Sequence, residues 1–179
     1  MSPGAELGLG PDVGATDLID TLAVPPARIL IVGSGVGLLA SALTEAGFRA
    51  VGTDTDPGML GIARDRDART PWLDSRPGRL ALAGRAFAVV LAGRRAFGDL
   101  GAATLRETVE AFAAHLPAGG HLIAELDSRV VGIADAPDPT AYDRACEAAD
   151  LAYTARYAGW RQDRFVPGSP IAIAVHRRR

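Results

Sequence analysis

The chain has 179 residues, the length of one ordinary domain and enough to bury a three-layer core. Hydrophobic residues make up 48% and charged residues 22%, a balance that excludes disorder along most of the length. A formal net charge of -2 gives no bulk attraction to nucleic acid or to an anionic membrane, so the expected partner is a small-molecule substrate.

Residues 1–14 contain Gly and Pro and lack a basic start followed by an apolar run, so they read as a flexible N-terminus and not as a secretory signal. Residues 15–179 read as a single domain. A short helix is expected over residues 15–22, stopped by Pro25 and Pro26. Arg28–Val32 is a continuous aliphatic run that breaks at glycine, the pattern of a parallel strand buried on both faces. Leu38–Glu45 has helical spacing and ends near Gly47, and residues 48–53 read as a second strand. Pro57 sits at the first turn of another helix that runs through Met59, Leu60 and Ile62 toward Asp67.

Pro71, Pro77, Gly78 and Gly84 interrupt the next stretch, in which Trp72 and Leu73 are read as a short edge strand. Residues 87–92 form another buried-strand run, residues 100–116 a long amphipathic helix, and residues 121–126 a strand. Residues 142–149 read as a helix, and residues 151–160 and 171–176 as a final strand pair joined without a helix and so antiparallel. The alternation predicts an α/β, doubly wound sheet.

Lys and Asn are absent, so every cationic side chain apart from histidine is Arg. Such a bias reflects codon supply, and most of these arginines are read as solvated surface. Cys146 is the only cysteine, which excludes an internal disulfide and a cysteine-based zinc cluster. No metal is expected. No segment is long and apolar enough to cross a bilayer, and the expected location is cytoplasmic. Oligomeric state is not legible.

Chemistry concentrates at Gly33-Ser34-Gly35-Val36-Gly37, between the first strand and the first core helix. Alternate glycines permit a tight turn, keep side chains out from between backbone and ligand, and present amide donors near a helix N-terminus. Asp54 falls at the end of the second strand, where a carboxylate accepts hydrogen bonds from both hydroxyls of a ribose. Glycine turns also arise for steric reasons alone, but strand, glycine turn, helix, strand and terminal acid in this order point to a nucleoside. A dinucleotide-binding register fails from Gly33, because the sixth position is Leu38. Counted from Gly35 it fits as Gly35, Gly37 and Ala40, two residues beyond the strand end, which leaves an NAD-dependent oxidoreductase as a disfavoured alternative.

Residues 28–66 resemble the class I methyltransferase family, whose first motif is the G-x-G-x-G that Gly33, Gly35 and Gly37 supply here. The segment from Gly52 to Leu60 is similar to the family's ribose and adenine region, with Asp54 as the ribose acid, Thr55 beside it and Met59 near the adenine. Leu116-Pro117-Ala118-Gly119-Gly120 looks like the turn before the family's fifth strand. The resemblance implies a three-layer, Rossmann-like sandwich around a mostly parallel seven-stranded sheet of order 3-2-1-4-5-7-6 with an antiparallel last strand. It also implies S-adenosylmethionine as cofactor, held by Gly33, Ser34, Gly35, Gly37, Asp54, Thr55, Met59, Asp74, Ala92 and Gly93.

The departures from the family pattern lie at the same edge. Ile31 stands two residues before the first glycine, where the family commonly has an acid, and Ala88 follows Phe87 where it often has Asp. Losing one charge-assisted hydrogen bond costs about 1.5–3 kcal/mol, or roughly ten- to a hundredfold in affinity. Arg94 and Arg95 follow the fourth strand, and Arg94 is a candidate for binding a substrate carboxylate or phosphate, as Asp127 after the fifth strand is a second substrate candidate. No catalytic residue is assigned: His115, His121 and His176 read as structural or exposed, and Asp99 and Asp127 as loop acids on the expected edge. Tyr153, Tyr157 and Trp160 have the spacing of sheet packing. The expected activity is methyl transfer to a small-molecule acceptor, and the main alternative is a catalytically degenerate or regulatory nucleoside-binding relative.

Overall fold

The computed structural model describes residues 13–80, 82, 87–97, 102–127, 140–166 and 168–179. Seven strands, β1 (Arg28–Val32), β2 (Arg49–Asp54), β3 (Trp72–Asp74), β4 (Val89–Ala92), β5 (His121–Asp127), β6 (Leu151–Tyr157) and β7 (Ile171–Arg178), form one sheet of order β3-β2-β1-β4-β5-β7-β6. The first five are parallel, and β7 runs antiparallel to both β5 and β6. This is the three-layer Rossmann-like sandwich expected from the family resemblance, with the same strand order.

Both faces of the sheet are covered, which explains why the central strands read as unbroken apolar runs rather than alternating ones. Ile29 and Ile31 of β1 and Val89 and Leu91 of β4 point to one layer, made by α1 (Val13–Leu22), α2 (Leu38–Glu45) and α3 (Pro57–Arg66). Leu30, Val32, Val90 and Ala92 point to the other, made by α4 (Ala102–Ala113) and α5 (Ala141–Ala148).

Element ends differ from the sequence reading where local bonds override periodicity. Helix α1 starts at Val13, and residues 1–12 of the expected flexible segment lie outside the described residues. Strand β4 starts at Val89, because Phe87 hydrogen-bonds to His115 beyond α4 and buries its ring. Strand β6 ends at Tyr157, where Ala158 turns onto Asp163 and sends Trp160 back under the α1 layer. Strand β7 continues to Arg178, whose backbone exchanges bonds with Gly119 and Gly120. Trp160 packs as expected, and Tyr153, although 59% exposed on the sheet face of the edge strand, meets His176 of β7 edge-on at 5.7 Å.

Gly14 in α1 lies so close to the Trp160 backbone that an added Cβ would overlap the carbonyl. Backbone atoms cannot swing aside as a side-chain tip can. Gly14→Ala should therefore destabilise the fold by about 1–3 kcal/mol, measured by chemical denaturation; an unchanged or raised stability, as helix propensity alone predicts, would show that α1 shifts freely on the sheet.

Candidate functional site

Strand order reverses between β1 and β4, so the connections leaving their carboxyl ends diverge and open a crevice. The glycine turn forms one wall of it. Gly33 and Ser34 both donate to the Thr53 carbonyl at 2.9 Å, strapping the turn to β2 before the chain enters α2. Gly33, Gly35 and Gly37 have φ of 73°, 54° and 81°, left-handed values that side-chain-bearing residues rarely adopt.

Asp54 ends β2 at 7% exposure and ties the turn to the next element. Its Oδ2 accepts from Gly35 N–H at 2.8 Å and its Oδ1 from Asp56 N–H at 3.0 Å. Each carboxylate oxygen has a second lone-pair direction, so the group can still accept from a ligand. Asp56 in turn caps α3, accepting from Gly58 and Met59 N–H. Across the crevice, β4 leads through Gly93 into a 3-10 turn, Arg94–Ala96, closed by Ala96 N–H on the Gly93 carbonyl at 2.8 Å.

These pieces enclose a cavity of about 310 Å³ lined by Gly33, Asp54, Thr55, Asp56, Ser75, Pro77, Arg95 and Ala96. Every lining residue lies at or beyond the carboxyl end of a parallel strand. The size is at the lower end of the range for small-molecule pockets.

Of the residues named from sequence, Gly33, Asp54 and Thr55 line the cavity, and Gly35 holds the Asp54 carboxylate. Ser34 is buried with no hydrogen-bond partner for its hydroxyl. Gly37 faces the other way: a Cβ there, or on Gly52, would overlap the indole of Trp72, whose Nε1 donates to the Asp67 carbonyl at 2.8 Å. The third glycine thus makes room for a tryptophan behind the turn. Met59 is half-buried on the first turn of α3 and Asp74 is exposed at the end of β3, and neither lines the cavity. Ala92 and Gly93 are buried under the 3-10 turn. Arg94 is exposed away from the cavity, and its neighbour Arg95 lines it instead. Asp127 ends β5, outside the lining.

The residues that sequence reasoning missed are Asp56, Ser75, Pro77, Arg95 and Ala96. Asp56 before Pro57 carried a helix-cap signal. Ser75 and Pro77 follow a three-residue edge strand, too short to set a period, and a 3-10 turn gives no rule for which of two arginines faces inward.

The histidines lie elsewhere. His115 is buried with Nδ1 2.7 Å from the Ala111 carbonyl, and His176 is buried beneath α5. His121 starts β5 at the opposite edge, where burial and then the Arg177 charge push its pKa down. Asp99 lies outside the described residues. Ile31 is fully buried in the apolar layer with Leu39 and Ala40, so no carboxylate stands beneath the turn at that position.

The sequence model of the methyltransferase domain family matches residues 30–124, which run from β1 through β5. Among solved structures, a TehB-like SAM-dependent methyltransferase from Corynebacterium glutamicum superposes with a TM-score of 0.81 at 21% identity, covering 93% of this chain and 88% of that one. The CcbJ methyltransferase from Streptomyces caelestis gives 0.78 at 19% identity, with 94% and 90% covered. SAM-bound CalS10, an amino pentose methyltransferase from Micromonospora echinaspora, gives 0.68 at 20% identity, with 91% and 89% covered. Among curated proteins none matches the chain in sequence.

Proposed function

This chain belongs to the methyltransferase domain family, whose cofactor is S-adenosylmethionine, and from that membership we propose that it transfers the cofactor's methyl group to a small-molecule acceptor. The observation that carries the proposal is Asp54, a nearly buried carboxylate at the end of β2, fixed by the glycine-turn amide and bordering a cavity at the switch point of the sheet.

The residues present fit the cofactor. Gly33 presents no side chain to the cavity, whereas a Cβ there would stand in van der Waals contact with the facing turn, 3.8 Å from the Ala96 nitrogen and 3.9 Å from the Arg95 Cβ. Asp54 has lone pairs left for two ribose hydroxyls, and Ser75 and Pro77 wall the side beyond β3. When bound, S-adenosylmethionine supplies a methyl group activated by a positively charged sulfur. What remains for the protein is to align an acceptor and exclude water, with little obligatory acid-base machinery. That division of labour suits a cavity whose lining, among the described residues, holds no histidine, tyrosine or cysteine.

Titration calorimetry with S-adenosylmethionine and S-adenosylhomocysteine, with NAD as the control, tests the reading. Micromolar binding of the first two and none of NAD is the expected result. Binding of NAD alone would return the chain to the oxidoreductase reading, and binding of neither would overturn cofactor use. The buried Ile31 favours a second reading, a nucleoside-binding relative without turnover. A panel of small hydroxyl, amine and carboxyl acceptors separates the two, because methylation of any of them excludes it.

A further inference from the structure

The cavity is electrically divided. At its β2 end stand two carboxylates, Asp54 and Asp56, both already accepting backbone N–H groups. At its β4 end stands Arg95, a cation whose side chain makes no hydrogen bond or ion pair among the described residues. The turn that carries Arg95 rests on the glycine turn: a Cβ built on Gly33 would lie 3.9 Å from the Arg95 Cβ and 3.8 Å from the Ala96 nitrogen. A ligand whose ribose meets Asp54 and which crosses in front of Gly33 therefore runs toward Arg95.

S-adenosylmethionine has a matching order of groups. Its ribose hydroxyls are donors, suited to the carboxylate end. Its amino acid chain leaves from the 5′ side of the ribose and ends in an ammonium and a carboxylate. An acid two residues before the first glycine would offer a partner for the ammonium, but here that position is Ile31, fully buried among apolar side chains. The charge this chain offers instead is positive, and a guanidinium forms paired, parallel hydrogen bonds with a carboxylate. Its long side chain also lets the charge sit beyond the sulfonium while the Cβ stays against the turn.

We propose that Arg95 binds the α-carboxylate of the cofactor's amino acid end, so that the anchor missing at Ile31 is replaced by one of opposite charge on the facing turn. The proposal rests on the S-adenosylmethionine reading and assigns a binding and positioning role to a residue outside the glycine motif. One consequence is selectivity: adenosine thioethers without the amino acid group gain nothing from Arg95.

The test compares two probes on the full-length chain by titration calorimetry, S-adenosylhomocysteine, which keeps the amino acid group, and 5′-methylthioadenosine, which lacks it. Arg95→Met should weaken S-adenosylhomocysteine by roughly ten- to a hundredfold and leave 5′-methylthioadenosine unchanged, while Arg95→Lys recovers part of the loss. Arg95 is exposed, so thermal unfolding of both variants should match the wild type. Unchanged S-adenosylhomocysteine affinity, or equal weakening of both probes, would overturn the assignment while leaving the cofactor reading intact. Failure of the wild-type chain to bind S-adenosylhomocysteine would overturn both at once, and the wild-type titration alone tells these failures apart.

Discussion

Replacing Asp54 with Ala should lower the affinity for S-adenosylhomocysteine by at least about a hundredfold, the product of losing two charge-assisted hydrogen bonds at about 1.5–3 kcal/mol each. The carboxylate has two tasks on one side chain. It positions the Gly35 and Asp56 amides at 2.8 and 3.0 Å, and on the cofactor reading it accepts from the ribose. Without it, the turn keeps its backbone bonds to Thr53 but loses its side-chain tie to β2, and the ligand loses its partner. Asp54→Asn should do nearly as badly, because an amide nitrogen turned toward Gly35 or Asp56 sets donor against donor. Titration calorimetry on both variants is the check. An Asn variant that binds like the wild type would remove the carboxylate from the binding site. Both variants should also lose some stability, about 1–3 kcal/mol, since the Gly35 amide they free is buried, whereas that of Asp56 borders the cavity where water can reach it.

The order of elements was legible because a buried parallel strand has a distinctive form. Ile29 to Val32 and Val89 to Ala92 are apolar without alternation, and each run stops at glycine. The glycine turn and Asp54 were legible for a related reason, since their meaning comes from their place after two such strands. Three kinds of information were not. The first was contact at a distance in sequence: nothing near Gly37 indicates that Trp72, held by Asp67, will lie behind it, so a glycine demanded by packing reads as one demanded by a ligand. The second was orientation in short irregular pieces. Arg94 and Arg95 differ by one position on a 3-10 turn with no buried stripe to orient it, and it is Arg95, not the expected Arg94, that lines the cavity. Strand order carried a third limit. Alternation alone gives a doubly wound sheet, and the placement of β7 between β5 and β6 came from family resemblance.

Asp143→Asn should destabilise the fold by about 3 kcal/mol at neutral pH, because breaking one partner out of a buried ion pair strands the other charge. Asp143 sits on the first turn of α5 with 14% of its side chain exposed, and Arg156 of β6 reaches its Oδ1 at 2.6 Å with 15% exposed. Thr140 closes a capping box, donating its N–H and hydroxyl to Oδ2 at 3.1 and 2.8 Å. His176 Nε2 lies 3.5 Å from Oδ1. Burial alone would push the Asp143 carboxyl up, but His176, Arg156 and Thr140 together outweigh it and hold the group well below the usual carboxylate range. A depressed folded pKa stabilises the protein above the unfolded value, near about 4, and that contribution is lost as pH falls through the folded value. The gap between wild type and variant in chemical denaturation should therefore be full at neutral pH and narrow in acid. In thermal terms it amounts to roughly 6–12 °C for a chain of this length. Adding Arg156→Met to the variant should recover part of the loss, since the orphaned charge goes with it. A loss below about 1 kcal/mol would class the pair with solvent-screened surface bridges. The effect should also reach the cavity: Tyr142, beside Asp143, packs edge-on against Phe97 at 5.6 Å, and Phe97 directly follows the turn that carries Arg95. Loosening the first turn of α5 therefore loosens the wall on which the proposed carboxylate anchor stands, and Asp143→Asn should weaken S-adenosylhomocysteine more than 5′-methylthioadenosine, although Asp143 itself does not line the cavity.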